Sequence, residues 1–309
     1  MKYIKIIGTG KYLPSQRIEN KELASILQVT ESYIEKMTGI QTRYYKKEES
    51  MVDMAVNAAK DAMQKANILP NSIDFIIVSS TTNPYYMPGI SFFVQKECDM
   101  INAKCLDISA GCSGFINAFD IARNEIALGK IQRALVVGVD ALSNVVDKND
   151  IGTAIVLSDG AGAVILEQTN EEKQYESEIQ SEIDSEDILT CKANEKIVMK
   201  GKEIYKYAVT KPVEQIQKLL SKMNMNIEEI KYLVPHQSNL RIMQAMTKRL
   251  NISEEKMYIN IQKRGNTFCA SIPIALDDIM QEGKLKEKDK ILLLGYGGGL
   301  NTESILLEI

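Results

Sequence analysis

One thiol is the side chain in this sequence best suited to covalent chemistry. Cys112 lies in the small-residue segment 111–114 (GCSG), which follows an apolar run and precedes a segment of helical period. At a strand-to-helix turn, the helix amides can lower a thiol pKa, and small neighbours let a substrate approach the sulfur. The segment therefore indicates a nucleophile at Cys112, although burial as a small hydrophobic side chain is the commoner fate of cysteine.

The chain has one histidine, His236, which follows the apolar run 232–234 and Pro235. Strand ends often supply the residues of a functional site, and imidazole is the side chain that titrates nearest neutral pH. A proton carrier at that pH would be His236; the alternative is a histidine with no chemical task. Asn266 lies in the turn-like segment 263–267 (KRGNT), where an ordinary turn asparagine is the default interpretation.

The other glycine and cysteine motifs argue against nucleotide and metal sites. Segment 296–299 (YGGG) follows an apolar run and offers backbone amides to a ligand, but it lacks the Lys-Ser/Thr pair of a phosphate loop. The turn at 8–10 lacks the third glycine of a dinucleotide fingerprint. The five cysteines form no C-x-x-C pair, and one histidine cannot complete a usual zinc set. We expect no metal.

Composition places the protein among ordinary globular chains. Its 309 residues are 45% apolar and 25% charged, with a formal net charge of -4, which gives no overall attraction to nucleic acid or anionic lipid. No apolar run reaches membrane-spanning length, and the first residues are too interrupted for a signal peptide. An odd number of cysteines fits a reducing compartment. We therefore expect a cytoplasmic protein that binds neither nucleic acid nor membrane.

Strands and helices alternate around these candidates. Apolar runs predict buried strands at 3–7, 75–79, 105–108, 134–139, 155–157, 163–166, 232–234 and 291–294. Helical period predicts helices at 54–66, 115–127, 213–223 and 240–250. This alternation predicts a layered α/β fold. The acidic stretch 168–187 suggests a boundary, which divides the chain into an N-terminal half, 1–168, with Cys112, and a C-terminal half, 169–309, with His236 and Asn266.

An ordered set of motifs resembles β-ketoacyl-acyl-carrier-protein synthase III. The set comprises 111–115 (GCSGF), 158–163 (SDGAGA), 235–242 (PHQSNLRI), 265–267 (GNT) and 295–299 (GYGGG), together with 8–14 (GTGKYLP), 38–40 (TGI) and 81–82 (TT). It covers nearly the whole chain. The resemblance implies a thiolase-like fold, in which two similar halves form five layers, αβαβα. It also implies a homodimer.

The resemblance further implies that Cys112, His236 and Asn266 form a catalytic triad. A thiolate at Cys112 would take an acyl group from a thioester, while the amides of Cys112 and Gly298 hold the oxyanion. Decarboxylation of malonyl carrier protein would leave an enolate that accepts hydrogen bonds from His236 and Asn266. The β-ketoacyl product would initiate fatty-acid or related polyketide synthesis. The expected partners are acyl carrier protein and small acyl thioesters, and no metal or organic cofactor is required.

Three positions depart from the family pattern. Tyr33 stands where tryptophan is common, and Met37 and Ile151 stand where arginine is common, at positions that grip coenzyme A in better-known members. Tyr33 can still stack, but each lost charge-assisted hydrogen bond is worth about 1.5–3 kcal/mol. We therefore expect acyl carrier protein to compete well with coenzyme A as the acyl donor.

Other binding positions match the family. Lys206, Arg241, Lys248 and Arg249, here called the basic rim, match positions that meet the acidic carrier protein, although a solvated helix face is the simpler interpretation of such charges. Met87 corresponds to a position that bounds the acyl pocket across the dimer interface. Because methionine is deformable, it is compatible with a primer larger than acetyl.

Two other functions compete with this interpretation. A specialised relative would transfer the acyl group to an oxygen, nitrogen or non-standard carbon nucleophile in a secondary pathway, and the altered coenzyme A positions keep this alternative open. A non-catalytic interaction protein would keep the fold for dimerisation, but an intact triad argues against it.

Two related enzyme families fit the sequence less well. Plant-type polyketide synthases are longer, and thiolases need a second cysteine in the turn at Gly297.

Overall fold

The computed structural model of the protein describes residues 2–309. The strands are β1 (Tyr3–Tyr12), β2 (Gln16–Glu19), β3 (Thr42–Tyr45), β4 (Phe75–Ser79), β5 (Lys104–Ile108), β6 (Arg133–Asp140), β7 (Gly160–Thr169), β8 (Tyr175–Ser181), β9 (Leu189–Thr190), β10 (Val198–Met199), β11 (Ile230–Pro235), β12 (Lys290–Gly297) and β13 (Asn301–Glu308). The α-helices are α1 (Asn20–Leu27), α2 (Glu31–Thr38), α3 (Met51–Ala66), α4 (Ile90–Glu97), α5 (Gly114–Ala127), α6 (Ile151–Ala154), α7 (Gly201–Ala208), α8 (Lys211–Lys222), α9 (Leu240–Leu250), α10 (Ile261–Arg264) and α11 (Ser271–Gln281). Within this range, no helix has the length and apolar content needed to cross a membrane.

Two sheets with equivalent strand orders form the framework. The first has the order β1-β7-β6-β4-β5, and the second has the order β8-β13-β12-β11. In both sheets the first two pairings are antiparallel and the third is parallel. Beyond β11, a single parallel bridge between Leu233 and Met257 occupies the place that β5 has in the first sheet. The chain is therefore built from two similar halves.

Helices cover both faces of each sheet. In β12, Ile291 and Leu293 pack in the cluster that contains α5 and α11, whereas Leu292 and Leu294 pack in the cluster that contains α8 and α9. This alternation is the period of two expected of a strand buried on both faces. On the far side of the first sheet, α3 and α4 form the third cluster. The layers are α3/α4, first sheet, α5/α11, second sheet and α8/α9, which confirms the predicted αβαβα arrangement.

The division between the two sheets lies near the middle of the chain. The last strand of the first sheet, β7, ends at Thr169, and the first strand of the second sheet, β8, begins at Tyr175. The acidic stretch 168–187 therefore contains a strand that the sequence analysis did not predict. Glu176, Glu178 and Gln180 occupy alternate positions of this strand, which pairs on one side only, with β13.

Two strand predictions require correction. Residues 155–157 are not a strand: they form a buried turn after α6, and only Leu157 makes an isolated bridge, with Asn266. A run of three apolar residues is too short to distinguish a strand from a buried turn. The strand at 105–108 exists as β5, but it is only half-buried, because it is the edge strand of its sheet.

Candidate active site

A largely apolar cavity of about 590 Å³ contains the three residues of the predicted triad. Cys112, His236 and Asn266 all line it, together with Gly297. We call it the Cys112 cavity. A larger and more polar depression of about 880 Å³ lies elsewhere, near Tyr258, and has none of these three residues in its wall. Among residues 2–309, no cluster of three or more His, Cys, Asp or Glu side chains is arranged to hold a metal ion.

Cys112 lies in the turn between β5 and α5, two residues before the helix begins. Gly111 has φ +63°, in the left-handed region that glycine adopts without strain. The turn after β12 lies directly on the cysteine: a Cβ on Gly297 would come within 2.8 Å of Cys112 Cβ and 2.9 Å of Sγ. A side chain at position 297 would therefore displace the thiol, so glycine is required there.

The electrostatics of Cys112 differ from the prediction. Burial raises the pKa of the thiol to about 12, and the carboxylate of Asp140 acts in the same direction. The backbone amides of Gly298 and of Cys112 itself lower the pKa, but by less. The amides therefore act in the expected direction, but desolvation of the thiolate outweighs them and the net pKa is raised.

His236 follows β11 and is held by both backbone and side chain. Its backbone N–H donates to the carbonyl of Leu294 at 2.7 Å, and its ring nitrogen Nδ1 is hydrogen-bonded to Ser271 Oγ at 2.7 Å. The rings of Tyr296 and Phe268 contact it edge to face. Burial lowers the pKa of the imidazole to about 3, so the ring is neutral at physiological pH.

Asn266 is oriented by its own turn. The backbone N–H of Phe268 donates to Asn266 Oδ1 at 3.0 Å, and the backbone N–H of Asn266 donates to the carbonyl of Val156 at 3.0 Å. With its oxygen occupied, the amide presents its nitrogen, which lies 3.5 Å from the carbonyl of Ser238. A side-chain amide held in this way is a hydrogen-bond donor to a ligand in the cavity.

Two residues that hold the triad were not assigned by the sequence analysis. Phe268 has φ +45°, an uncommon conformation for a bulky side chain, and its N–H fixes Asn266. Ser271 fixes His236 from the first turn of α11. Both residues follow Asn266 closely in the sequence, and this short spacing was the signal that could have drawn attention to them. The sequence gives no indication of either hydrogen bond.

The wall of the cavity also contains the three positions that depart from the family pattern. Tyr33, Met37 and Ile151 all line it, and the guanidinium of Arg241 lies 3.7 Å from Met37 Sδ. Lys202, which the sequence analysis did not assign, is a further cation in the wall.

The remaining predicted binding residues lie outside the wall of the cavity. Lys206 on α7 and Lys248 and Arg249 on α9 are exposed, so the basic rim has only Arg241 inside the cavity. Met87 is 84% exposed in the loop between β4 and α4 and does not line the cavity of its own chain. The predicted contact of Met87 is with a second copy and stays a prediction.

Comparison with known proteins agrees with this geometry. The sequence model described as 3-oxoacyl-[acyl-carrier-protein (ACP)] synthase III matches residues 106–185, and that for the C-terminal part matches residues 220–309. The β-ketoacyl-[acyl-carrier-protein] synthase III of Clostridium botulinum strain 657 is 42% identical over 99% of both chains.

Solved structures give the same result. The 3-oxoacyl-[acyl-carrier-protein] synthase III of Aquifex aeolicus VF5 superposes with a TM-score of 0.96 at 40% identity, over 99% of this chain and 100% of the other. The priming β-ketosynthase of the R1128 polyketide biosynthetic pathway superposes with a TM-score of 0.95 at 28% identity, over 99% and 96%. On motif order, fold and full-length identity, the chain belongs to the β-ketoacyl-acyl-carrier-protein synthase III family.

Proposed function

We propose that this enzyme condenses an acyl thioester primer with malonyl carrier protein by decarboxylation, with Cys112 carrying the acyl group. The product is the β-ketoacyl thioester that starts fatty-acid synthesis. The observation that carries this proposal is the convergence of a buried thiol, a neutral imidazole and an oriented amide on one apolar cavity. Each group supplies one chemical requirement of the reaction.

The first half-reaction transfers the acyl group to sulfur. Cys112 Sγ attacks the thioester carbonyl, and the oxyanion that forms accepts hydrogen bonds from the amides of Cys112 and Gly298. The carbon–sulfur bond of the donor then breaks. Overall, the proton of the Cys112 thiol is transferred to the departing thiol, so the step is balanced without a cofactor.

The second half-reaction forms the carbon–carbon bond. Loss of carbon dioxide from the malonyl group leaves an enolate, whose oxygen accepts hydrogen bonds from His236 and Asn266. The carbanion attacks the acyl carbon on Cys112, the amides again stabilise the oxyanion, and the bond to sulfur breaks. Solvent returns one proton to the thiolate. No metal or organic cofactor takes part in this sequence.

We expect acyl carrier protein to compete well with coenzyme A as the acyl donor. At Met37 and Ile151 the cavity offers apolar side chains, so two anion contacts of the family pattern are missing. The exposed cations of the basic rim suit an acidic protein surface, and a pantetheine arm needs no adenine contact to enter the cavity. Small acyl thioesters remain substrates, with Tyr33 and Arg241 as their contacts at the wall.

We further propose that the active form is a homodimer, joined through the free edge of the first sheet. The edge strand β5 exposes Leu106, and the adjacent loop and helix expose Tyr86, Met87 and Phe92 by 92%, 84% and 48%. An open edge beside exposed large apolar side chains is typical of an interface. This arrangement would carry Met87 to the acyl pocket of the partner subunit.

The five free cysteines, two of them half-buried or exposed, suit a reducing compartment, and we place the enzyme in the cytoplasm.

A specialised acyltransferase of a secondary pathway is the second candidate. Met37 and Ile151 are compatible with it, because they alter donor recognition. In such an enzyme the acyl group would pass from Cys112 to an oxygen, nitrogen or non-standard carbon nucleophile.

Release of carbon dioxide from malonyl carrier protein separates these functions. The proposed condensing enzyme should release carbon dioxide and produce β-ketoacyl carrier protein in equal amounts when acyl donor is present. An acylated enzyme that leaves malonyl carrier protein unchanged, but passes its acyl group to an alcohol or amine, would be the secondary-pathway enzyme instead. A non-catalytic scaffold would give neither product above background.

A further inference from the structure

Ser271 is the hydrogen-bond partner of the only histidine in the chain. Its Oγ lies 2.7 Å from His236 Nδ1, and each of the two residues is 2% exposed. Ser271 is the first residue of α11, a helix packed between the two sheets. The imidazole is therefore tied to one of the most enclosed elements of the fold.

The protons in this contact can be assigned from the neighbouring amide. The N–H of Gln237 points to Ser271 Oγ at 3.4 Å, and a backbone amide can only donate. Ser271 Oγ thus already acts as an acceptor, and its own proton needs an acceptor. Among residues 2–309, Oγ has no acceptor in contact other than His236 Nδ1. A buried hydroxyl without a partner is costly, so Ser271 donates to Nδ1.

A ring nitrogen that accepts a hydrogen bond carries no proton. The imidazole of His236 is neutral, so its single proton is on Nε2. Among the described residues, Nε2 has no hydrogen-bond partner, and the ring borders the Cys112 cavity. We infer that Ser271 is a positioning residue that holds His236 in the tautomer protonated on Nε2, with that N–H directed to the substrate.

This inference rests on the proposed role of His236 as a donor to the enolate oxygen. With the opposite tautomer, Nε2 would present a lone pair to a negatively charged oxygen and repel it. Ser271 would therefore act on the decarboxylation step through His236, whereas acylation of Cys112 would not depend on it. A purely structural role would affect both steps together.

The presence of a single histidine makes the tautomer directly measurable. In protein labelled with ¹⁵N-histidine and free of any histidine tag, we expect Nδ1 to resonate as an unprotonated imidazole nitrogen and Nε2 as a protonated one, throughout pH 6 to 8. A spectrum with the proton on Nδ1 would overturn the inference. The measurement needs no variant and no activity.

Ser271→Ala tests the cause of the tautomer. We expect a mixed or reversed tautomer signal and a loss of decarboxylation of about 10- to 100-fold, as for the outer partners of other functional histidines, with Cys112 acylation nearly unchanged. Ser271→Thr keeps the hydroxyl and should restore both signals. Ser304→Ala removes another fully buried serine hydroxyl, one that accepts a hydrogen bond from Gln215 and has none with the imidazole, and is the matched control.

The outcomes separate this inference from the function. If Ser271→Ala keeps the wild-type tautomer and decarboxylation rate, Ser271 has no positioning role. If His236→Ala decarboxylates normally while the wild-type spectrum shows the Nε2 proton, the role of His236 in decarboxylation fails, and with it the effect of Ser271 on that step, but the assignment of the tautomer stands.

Discussion

At the scale of single residues, the thiol and the imidazole of the site are both neutral. The pKa of Cys112 is raised to about 12 and that of His236 is lowered to about 3, each chiefly by burial. A preformed thiolate–imidazolium pair would require the opposite shifts. The nucleophile is therefore activated during the reaction, when amide donors stabilise the charge that forms on the substrate oxygen, and not by an ion pair that exists beforehand.

The neutral state of the Cys112 thiol predicts how the rate of its alkylation depends on pH. Because the thiolate is the reactive form and the pKa of Cys112 lies near 12, the rate with iodoacetamide should rise about tenfold per pH unit from pH 7 to 10, without a plateau. Peptide mapping separates Cys112 from the exposed Cys191. His236→Ala should show the same slope. A plateau below pH 8 that disappears in His236→Ala would instead reveal an ion pair.

The two donors predict a division between the half-reactions. His236→Ala or Asn266→Ala removes one hydrogen bond to the enolate oxygen, so decarboxylation should fall by about 10²- to 10³-fold, the usual effect of losing one oxyanion donor. Acylation of Cys112 in the same samples should persist, and it serves as the control for folding. Wild-type decarboxylation in both variants would refute the assignment.

Motifs were enough to predict that Cys112, His236 and Asn266 come together, but not how their side chains are oriented. Which atom of Asn266 faces the cavity depends on the N–H of Phe268, and the state of His236 depends on Ser271. Both contacts are made by residues that carry no recognisable reactivity. The raised pKa of Cys112 was also missed, because burial is a property of the whole fold and not of the turn.

At the scale of elements, apolar pattern was a reliable guide where an element is enclosed on both sides. The run at 75–79 coincides with β4, which is buried throughout, and the period at 240–250 coincides with α9. It was less reliable at edges. β8, in which Glu176, Glu178 and Gln180 occupy alternate positions, was not predicted, and β5 was predicted but is only half-buried. Neither strand has a neighbour on its outer side.

The basic rim gives a prediction at this scale. Lys248→Glu combined with Arg249→Glu reverses two exposed charges on α9, and should raise the KM for carrier-protein substrates about tenfold at low salt, with a smaller effect at high salt. The same acyl chain on coenzyme A should be affected much less. Lys60→Glu, which reverses one exposed charge on α3, is the control. Equal loss with both donors would contradict a role in docking.

At the scale of the whole molecule, the site exists because the two halves meet. Cys112 comes from the turn that leads into α5 of the first half, whereas His236 and Asn266 follow β11 and α10 of the second. The three residues meet in the wall of the Cys112 cavity. Cys112 is far from His236 and Asn266 in the sequence, so their proximity could not be predicted from spacing. Only the ordered set of motifs indicated it.

The free edge of the first sheet predicts the oligomeric state. Sedimentation should give the wild-type protein twice the chain mass of 34.6 kDa, and Leu106→Lys combined with Phe92→Lys should shift it to the single mass, because both side chains lie in the proposed interface. Ile183→Lys replaces an apolar side chain that is 91% exposed elsewhere, and should leave the dimer intact. A wild-type monomer would rule the dimer out.

The most direct test of the central claim is an acyl pulse followed by a malonyl chase, monitored by mass spectrometry of the intact protein and its peptides. After exposure to carrier protein loaded with an acyl group, we expect one acyl group, on Cys112 alone. On addition of malonyl carrier protein, that mass should disappear as β-ketoacyl carrier protein forms. An acyl group found on Cys98, Cys105, Cys191 or Cys269, or one that remains on Cys112 throughout the chase, would contradict the account.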